Sequence, residues 1–174
     1  STQILNMLLE PATVALGYPL YQQLTHIKHY WKQLTSILAL SIIIVITISF
    51  TITMLLIHEE GIAIALSLKS VTTPIGITLT EQLKGDSSIT ALAIMIAGFS
   101  GSLLGPYWLR FLNLKSDMAI GLAIGTGSHV IGSIILSKNN IHQGAYSSVA
   151  LIISALLTAV IIPILVPVLL PLFG

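Results

Sequence analysis

Residues 33–57, 87–109, 118–137 and 143–174 contain no Asp, Glu, Lys or Arg. Each stretch reaches the ~20 residues that a helix needs to cross a hydrocarbon core. A soluble domain carries roughly 25% charged residues. This chain carries 7% and is 55% hydrophobic, with a mean hydropathy of +0.97. The expected fold class is therefore an all-α, polytopic integral membrane protein, with residues 1–174 forming a single transmembrane domain. A net charge of +1 gives no electrostatic case for nucleic acid. The absence of cysteine excludes disulfides and thiol chemistry. The start Ser1-Thr2-Gln3 has no signal-peptide pattern and reads as a fragment or a processed form.

Six hydrophobic segments are expected. Residues 5–24 are interrupted by Pro11 and Pro19, with Glu10 before the first, and read as a broken or re-entrant helix. A basic, aromatic loop follows at 26–32, then a plain span at 33–57. Residues 61–83 form the second broken segment, carrying Lys69 and Pro74; Pro74 lacks an amide hydrogen and disfavours helix at Thr73. Segments 88–112, 118–137 and 145–173 complete the set. One crossing per segment puts Lys28, Lys32, Lys84 and Lys138 on one side and Arg110 and Lys115 on the other, which places the Lys28 loop in the cytoplasm. The two broken segments each set a charged residue and a Thr near a Pro and then end in Gln-Leu (Gln23-Leu24, Gln82-Leu83). Such pairs point to repeat-built transporters, and coincidence explains this one equally well.

Lys69 is the sole charge between residues 61 and 80. A lone ammonium at membrane depth costs about 2.5–3.5 kcal/mol on insertion scales, so it is retained for a reason. It can hold a carboxylate as a point charge, with Ser70, Thr72 and Thr73 adding hydroxyls. Alternatively it snorkels, or pairs with Glu10. Glu10 is a candidate proton-coupling carboxylate or an interfacial residue. His129 sits in a small-residue stripe (Gly121, Gly125, Ser128, Gly132) beside Gly127, which loosens the helix. It is either structural or a proton carrier and substrate donor near Thr126 and Ser128. Ala97, Gly101 and Gly105 form a second packing stripe. Tyr146-Ser147-Ser148 reads as the cap of the last helix. Pro163, Pro167 and Pro171 lie along one face and kink or fray its end. No dinucleotide loop, Walker lysine, zinc-protease helix or Cys/His cluster is present, so no cofactor or metal is expected and an enzymatic reading has little support.

Four blocks in order resemble the LrgB/CidB family of bacterial membrane proteins: Pro11-Ala12-Thr13-Val14-Ala15-Leu16 with Tyr18-Pro19-Leu20-Tyr21; Lys69-Ser70-Val71-Thr72-Thr73-Pro74-Ile75; Gly121-Leu122-Ala123-Ile124-Gly125-Thr126 with Ser128-His129; and Gly144-Ala145-Tyr146-Ser147-Ser148. The resemblance implies a multi-pass protein of the bacterial cytoplasmic (inner) membrane, holin/antiholin-like, acting on murein hydrolase export and lysis. It also implies carriage of small monocarboxylates, as in plastid relatives that move glycolate and glycerate and bacterial relatives linked to pyruvate uptake. It implies further N-terminal helices in the full family domain, and a small LrgA/CidA-like membrane partner. The chain departs from the family at Leu68, where Pro is usual, and at Gly132-Ser133-Ile134-Ile135, where Gly-Thr-Ala-Arg is usual and an Arg is replaced by Ile135.

Two functions follow as expectations. The first is a secondary carrier of a small carboxylate, with Lys69, Ser70, Thr72, Thr73, Thr126, Ser128 and His129 converging on the substrate, helix breaks at Pro11, Pro19 and Pro74, and proton coupling through Glu10 or His129. The second is a holin-like assembly, with stripes such as Ala97/Gly101/Gly105 driving oligomers. The expected partners are the lipid bilayer, a small carboxylate and, through the glycine stripes, a second copy of the chain.

Overall fold

The computed structural model describes residues 17–173. Among them are seven α-helices, a short 3-10 turn and no strand. Helix α1 covers Gly17–Ile57, α2 Glu60–Ser67, α3 Thr73–Gln82, α4 Ser87–Phe111, α5 Asp117–Gly127, α6 His129–Asn139 and α7 Ile141–Leu169; the turn is Leu170–Leu172. Glu10 and Pro11 lie outside the described residues.

Not every expected hydrophobic segment is a crossing. Among the described residues, three helical stretches are long and apolar enough to cross a membrane: Tyr30–Ile57, Ser87–Phe111 and Ile141–Leu172. The other two apolar segments are helical hairpins. In the first, α2 and α3 run antiparallel. The Asp86 N–H, just past α3, donates to the Gly61 carbonyl at the start of α2, 3.4 Å away. A Cβ on Gly85 would lie 3.1 Å from Ile64 Cβ. In the second hairpin, Asp117 at the start of α5 accepts from Asn140 Nδ2 (3.2 Å) and Gln143 Nε2 (2.7 Å), just past α6. Each hairpin therefore leaves the bundle at the end where it entered. Hydropathy counts apolar length and is blind to direction, so the second hairpin reads as a span while the first is marked only as a broken segment.

The hairpins enter from opposite ends. Helix α1 runs towards the Glu60 end, α4 returns to the Asp117 end, and α7 runs back beside α1. Leu34 and Leu38 pack with Val149, Ala150 and Ile153 near one end. Phe50, Ile46 and Met54 pack with Ile162, Val166 and Leu169 near the other, where Phe50 also meets the Phe173 ring. This arrangement redistributes charge. Lys32, Arg110, Lys115 and Lys138 gather at the Asp117 end, and among the described basic residues Lys84 stands at the Glu60 end with Glu59, Glu60, Glu81 and Asp86.

Local chemistry explains the boundaries. Asp86 caps α4 by accepting from the Ser88 and Ile89 amides, and Ser116 caps α5 through the Ala119 amide. Asn140 caps α7, accepting from His142 and Gln143, so the cap expected at Tyr146-Ser147-Ser148 lies earlier. Pro74 sits in the first turn of α3, where its missing N–H costs nothing. The described helix α1 runs through Pro19 without a break there, and it continues as helix through the loop expected at 26–32. Conversely, the span expected at 118–137 is broken at Ser128. Segments 61–83 and 118–137 are therefore two interrupted segments that meet in space, and most of the expected broken segment 5–24 lies outside the described residues.

The hairpins are seated by different means. Ile64, Leu68, Val71 and Leu79 bury the first in the apolar cluster around Phe50. The second is seated by glycines. A Cβ on Gly101 of α4 would strike the Gly127 carbonyl group, whose carbon lies 2.9 Å away. One on Gly105 would meet Ile124 Cδ1 at 2.7 Å, and one on Gly121 would meet Tyr146 Cβ at 2.6 Å. The stripe at Gly101 and Gly105, expected to drive oligomers, is thus used inside the chain to let the second hairpin approach α4.

Candidate functional site

The hairpin tips meet inside the bundle. His129 Nε2 lies 2.9 Å from the Lys69 carbonyl oxygen. A carbonyl only accepts, so Nε2 carries the hydrogen and donates, which leaves Nδ1 as a bare acceptor in the neutral ring. That Nδ1 is buried and has no hydrogen-bond partner among the described residues. His129 is also held at φ 53°, in the left-handed region, which costs a non-glycine residue roughly 1–2 kcal/mol. Gly98 on α4 makes room for the ring: a Cβ there would lie 3.3 Å from His129 Cδ2. An unfavourable backbone and an unsatisfied nitrogen coincide at one residue that ties the two hairpins together.

A cavity of about 120 Å³ opens at these tips. It is lined by Ser67 and Ser70 of the first hairpin and by Thr126 and Gly127 of the second. Ser41, Ile42, Val45 and Ile46 of α1 and Ser154 and Thr158 of α7 complete the wall. Residues 41–46 and 154–158 fall near the middle of their helices, so the cavity lies near mid-depth of the bundle. Irregular backbone at membrane depth is tolerated only where protein buries it or where it lines a cavity, and both tips meet that condition.

The wall has a definite hydrogen-bonding polarity. Four of its hydroxyls already donate to helix carbonyls: Ser67 to Ala63 (2.7 Å), Thr126 to Leu122 (2.8 Å), Ser154 to Leu151 (3.1 Å) and Thr158 to Ser154 (2.7 Å). Their oxygens are left as acceptors. Ser41 and Ser70 have no such internal bond and keep a donor for a guest. Among the described residues, no charged side chain lines the cavity.

The expected site residues are only partly brought together. Ser70 and Thr126 line the cavity. Lys69 supplies its carbonyl to His129, while its ammonium sits on Ser49 Oγ (2.7 Å) and the Leu66 carbonyl (3.4 Å). Ser128 is fully buried and donates to the Ile124 carbonyl at 2.6 Å, closing the end of α5. Thr72 and Thr73 begin α3 outside the cavity wall. The sequence reading passed over Ser41, Ser67, Ser154 and Thr158. Ser154 and Thr158 share one face of an apolar helix at a spacing of four, which was the available signal.

The chain belongs to the LrgB-like family, whose profile matches residues 1–168. Similar proteins include the holin-like protein CidB of Staphylococcus epidermidis, 32% identical over 152 residues. YxaC of Bacillus subtilis is 35% identical over 156 residues, and a Haemophilus influenzae protein is 32% identical over 152. Each alignment covers 87% of this chain and 66% of the relative, so the chain spans just under two thirds of their length. No solved structure matches. This is an LrgB-like family membrane protein with an all-α fold.

Proposed function

We propose that this protein is a secondary carrier of small monocarboxylates. The observation that supports it is the meeting of two oppositely directed hairpin tips at a hydroxyl-lined cavity near mid-depth. A carrier needs a site reachable from either side in turn, and interrupted helices meeting at the midplane supply one. Ser41 and Ser70 donate to the guest, and the oxygens of Ser67, Thr126, Ser154 and Thr158 accept from it. With no cation in the wall, an ionised carboxylate would be buried unpaired, which is costly. Co-transport of a proton removes that cost, and His129, with its bare Nδ1 beside the site, is the candidate proton carrier. Glu10, the other coupling candidate, lies outside the described residues.

In this reading the chain lies in a bacterial cytoplasmic membrane, crossing it three times over the described residues. Four basic residues at the Asp117 end, against Lys84 at the other, favour the Asp117 end as the cytoplasmic one. The first hairpin then dips in from outside and the second from the cytoplasm.

A second reading is a holin-like protein that controls murein hydrolase export and lysis, with a small LrgA/CidA-like partner or as a homodimer; the relatives named holin-like support its holin-like part more directly than they support a carrier. Uptake of radiolabelled pyruvate, glycolate, glycerate and lactate into proteoliposomes separates the two. Saturable uptake driven by an inward proton gradient, and reduced about tenfold or more by Ser70→Ala with Thr126→Val, supports the carrier; two lost hydrogen bonds of about 1 kcal/mol each account for that factor. Leakage of a trapped dye without saturable uptake supports the holin-like reading and sinks the first.

A further inference from the structure

Lys69 poses a separate question, because its ammonium does not face the cavity. It lies against Ser49 Oγ at 2.7 Å and the Leu66 carbonyl at 3.4 Å. Ser49 Oγ itself donates to the same Leu66 carbonyl at 3.1 Å. The serine hydrogen is thus committed, and its lone pairs are directed to the ammonium. Leu66 lies in the last turn of α2, where the helix dipole is negative, and its carbonyl also accepts from the Lys69 backbone N–H at 3.4 Å. No carboxylate pairs with Lys69 among the described residues. A hydroxyl and a carbonyl at the end of an interrupted helix are hard, uncharged oxygen donors, the chemistry by which broken membrane helices hold monovalent cations.

We propose that Lys69 fills, with its own ammonium, a monovalent-cation site formed by Ser49 Oγ and the carbonyl end of α2. The cation is built in by a covalent tether, so the protein needs no sodium or potassium there. The site also bears on the hairpin junction, because the backbone carbonyl of the same residue receives the His129 Nε2 bond. Removing the tethered cation leaves a vacancy that a free one can occupy, and its occupancy steadies the first tip against the second. None of this depends on what the neighbouring cavity carries.

The test is thermal unfolding of the purified full chain in detergent, in choline, sodium or ammonium chloride at equal ionic strength. Wild type is expected to melt at the same temperature in all three salts. Lys69→Ala is expected to melt lower in choline and to regain several degrees, dose-dependently, in sodium or ammonium, because a ligand that binds only the folded state stabilises it. The regain disappears when Ser49→Ala is added. Equal melting of Lys69→Ala in the three salts, or a regain that survives Ser49→Ala, overturns the proposal. Should Lys69→Ala fold in none of the salts, ¹⁵N-lysine NMR of the wild type, assigned with Lys69→Arg, decides. A slowly exchanging ammonium at Lys69 supports the tethered cation, and a neutral amine there refutes it. Proteoliposome uptake is not used, so failure here leaves the carrier reading standing and the converse holds too.

Discussion

The two hairpins do the same geometric job with opposite materials. The first turns over several residues between Ser67 and Thr73, is marked by Pro74, and is anchored by Leu68 and Val71, which are 0% and 1% exposed. The second turns at one residue, Ser128, contains no proline, and is anchored by close backbone approach at Gly101, Gly121 and Gly125. Burying large side chains holds a hairpin by many dispersion contacts that tolerate small adjustments. Backbone-to-backbone approach has no soft element, so each glycine becomes a point of failure. The comparison predicts brittle sites in the second hairpin and graded ones in the first.

The sharpest break is expected at Gly125. A Cβ there meets the Ser147 backbone, with the carbonyl carbon at 2.8 Å. Gly125→Ala should cost about 3 kcal/mol by overpacking, read as a lower melting temperature or loss of folded protein in detergent. A neutral result would show that the second hairpin is not held by backbone contact. Next in size, Leu68→Ala should cost about 2–3 kcal/mol through the void it leaves, with the fold retained and unfolding still cooperative; an unfolded variant would remove the contrast between the hairpins. A smaller loss, about 1 kcal/mol, is expected for His129→Ala, which gives up the hydrogen bond joining the tips. His129→Gln, which can still donate to the Lys69 carbonyl, should recover part of it, and equal melting of the two variants would deny the bond a structural role. The smallest effect is expected at the entry to the first hairpin, where a Cβ on Gly61 meets nothing within 4 Å. Gly61→Ala should be neutral or stabilise by about 0.5–1 kcal/mol, and a clear destabilisation there would show contacts that the packing does not contain.

Legibility in the sequence followed the same division. The break near Lys69 was readable because a charge and a proline interrupt an apolar run. The break at Ser128 was signalled only by Gly127 and by His129 itself, because left-handed backbone at a histidine leaves no compositional mark. Pro19 misled in the other direction, because the described helix runs through it. Ser70 and Thr126, read from the sequence as substrate contacts near Lys69 and His129, line the cavity. Ser41, Ser154 and Thr158 were missed because they come from uninterrupted helices, and only packing reveals which face looks inward.

By itself the sequence determined that this is an all-α membrane protein of the LrgB-like family, because scarcity of charge over helical lengths has one physical solution and the family blocks are linear. It also determined that Lys69 and His129 are costly at their positions. Tertiary structure alone decided that two apolar segments turn back instead of crossing, that they enter from opposite ends, and that the Lys69 ammonium points to Ser49 while its carbonyl reaches His129. The physical reason is that hydropathy is a sum along the chain, whereas direction, depth and hydrogen-bond partnership are set by contacts between residues far apart in it.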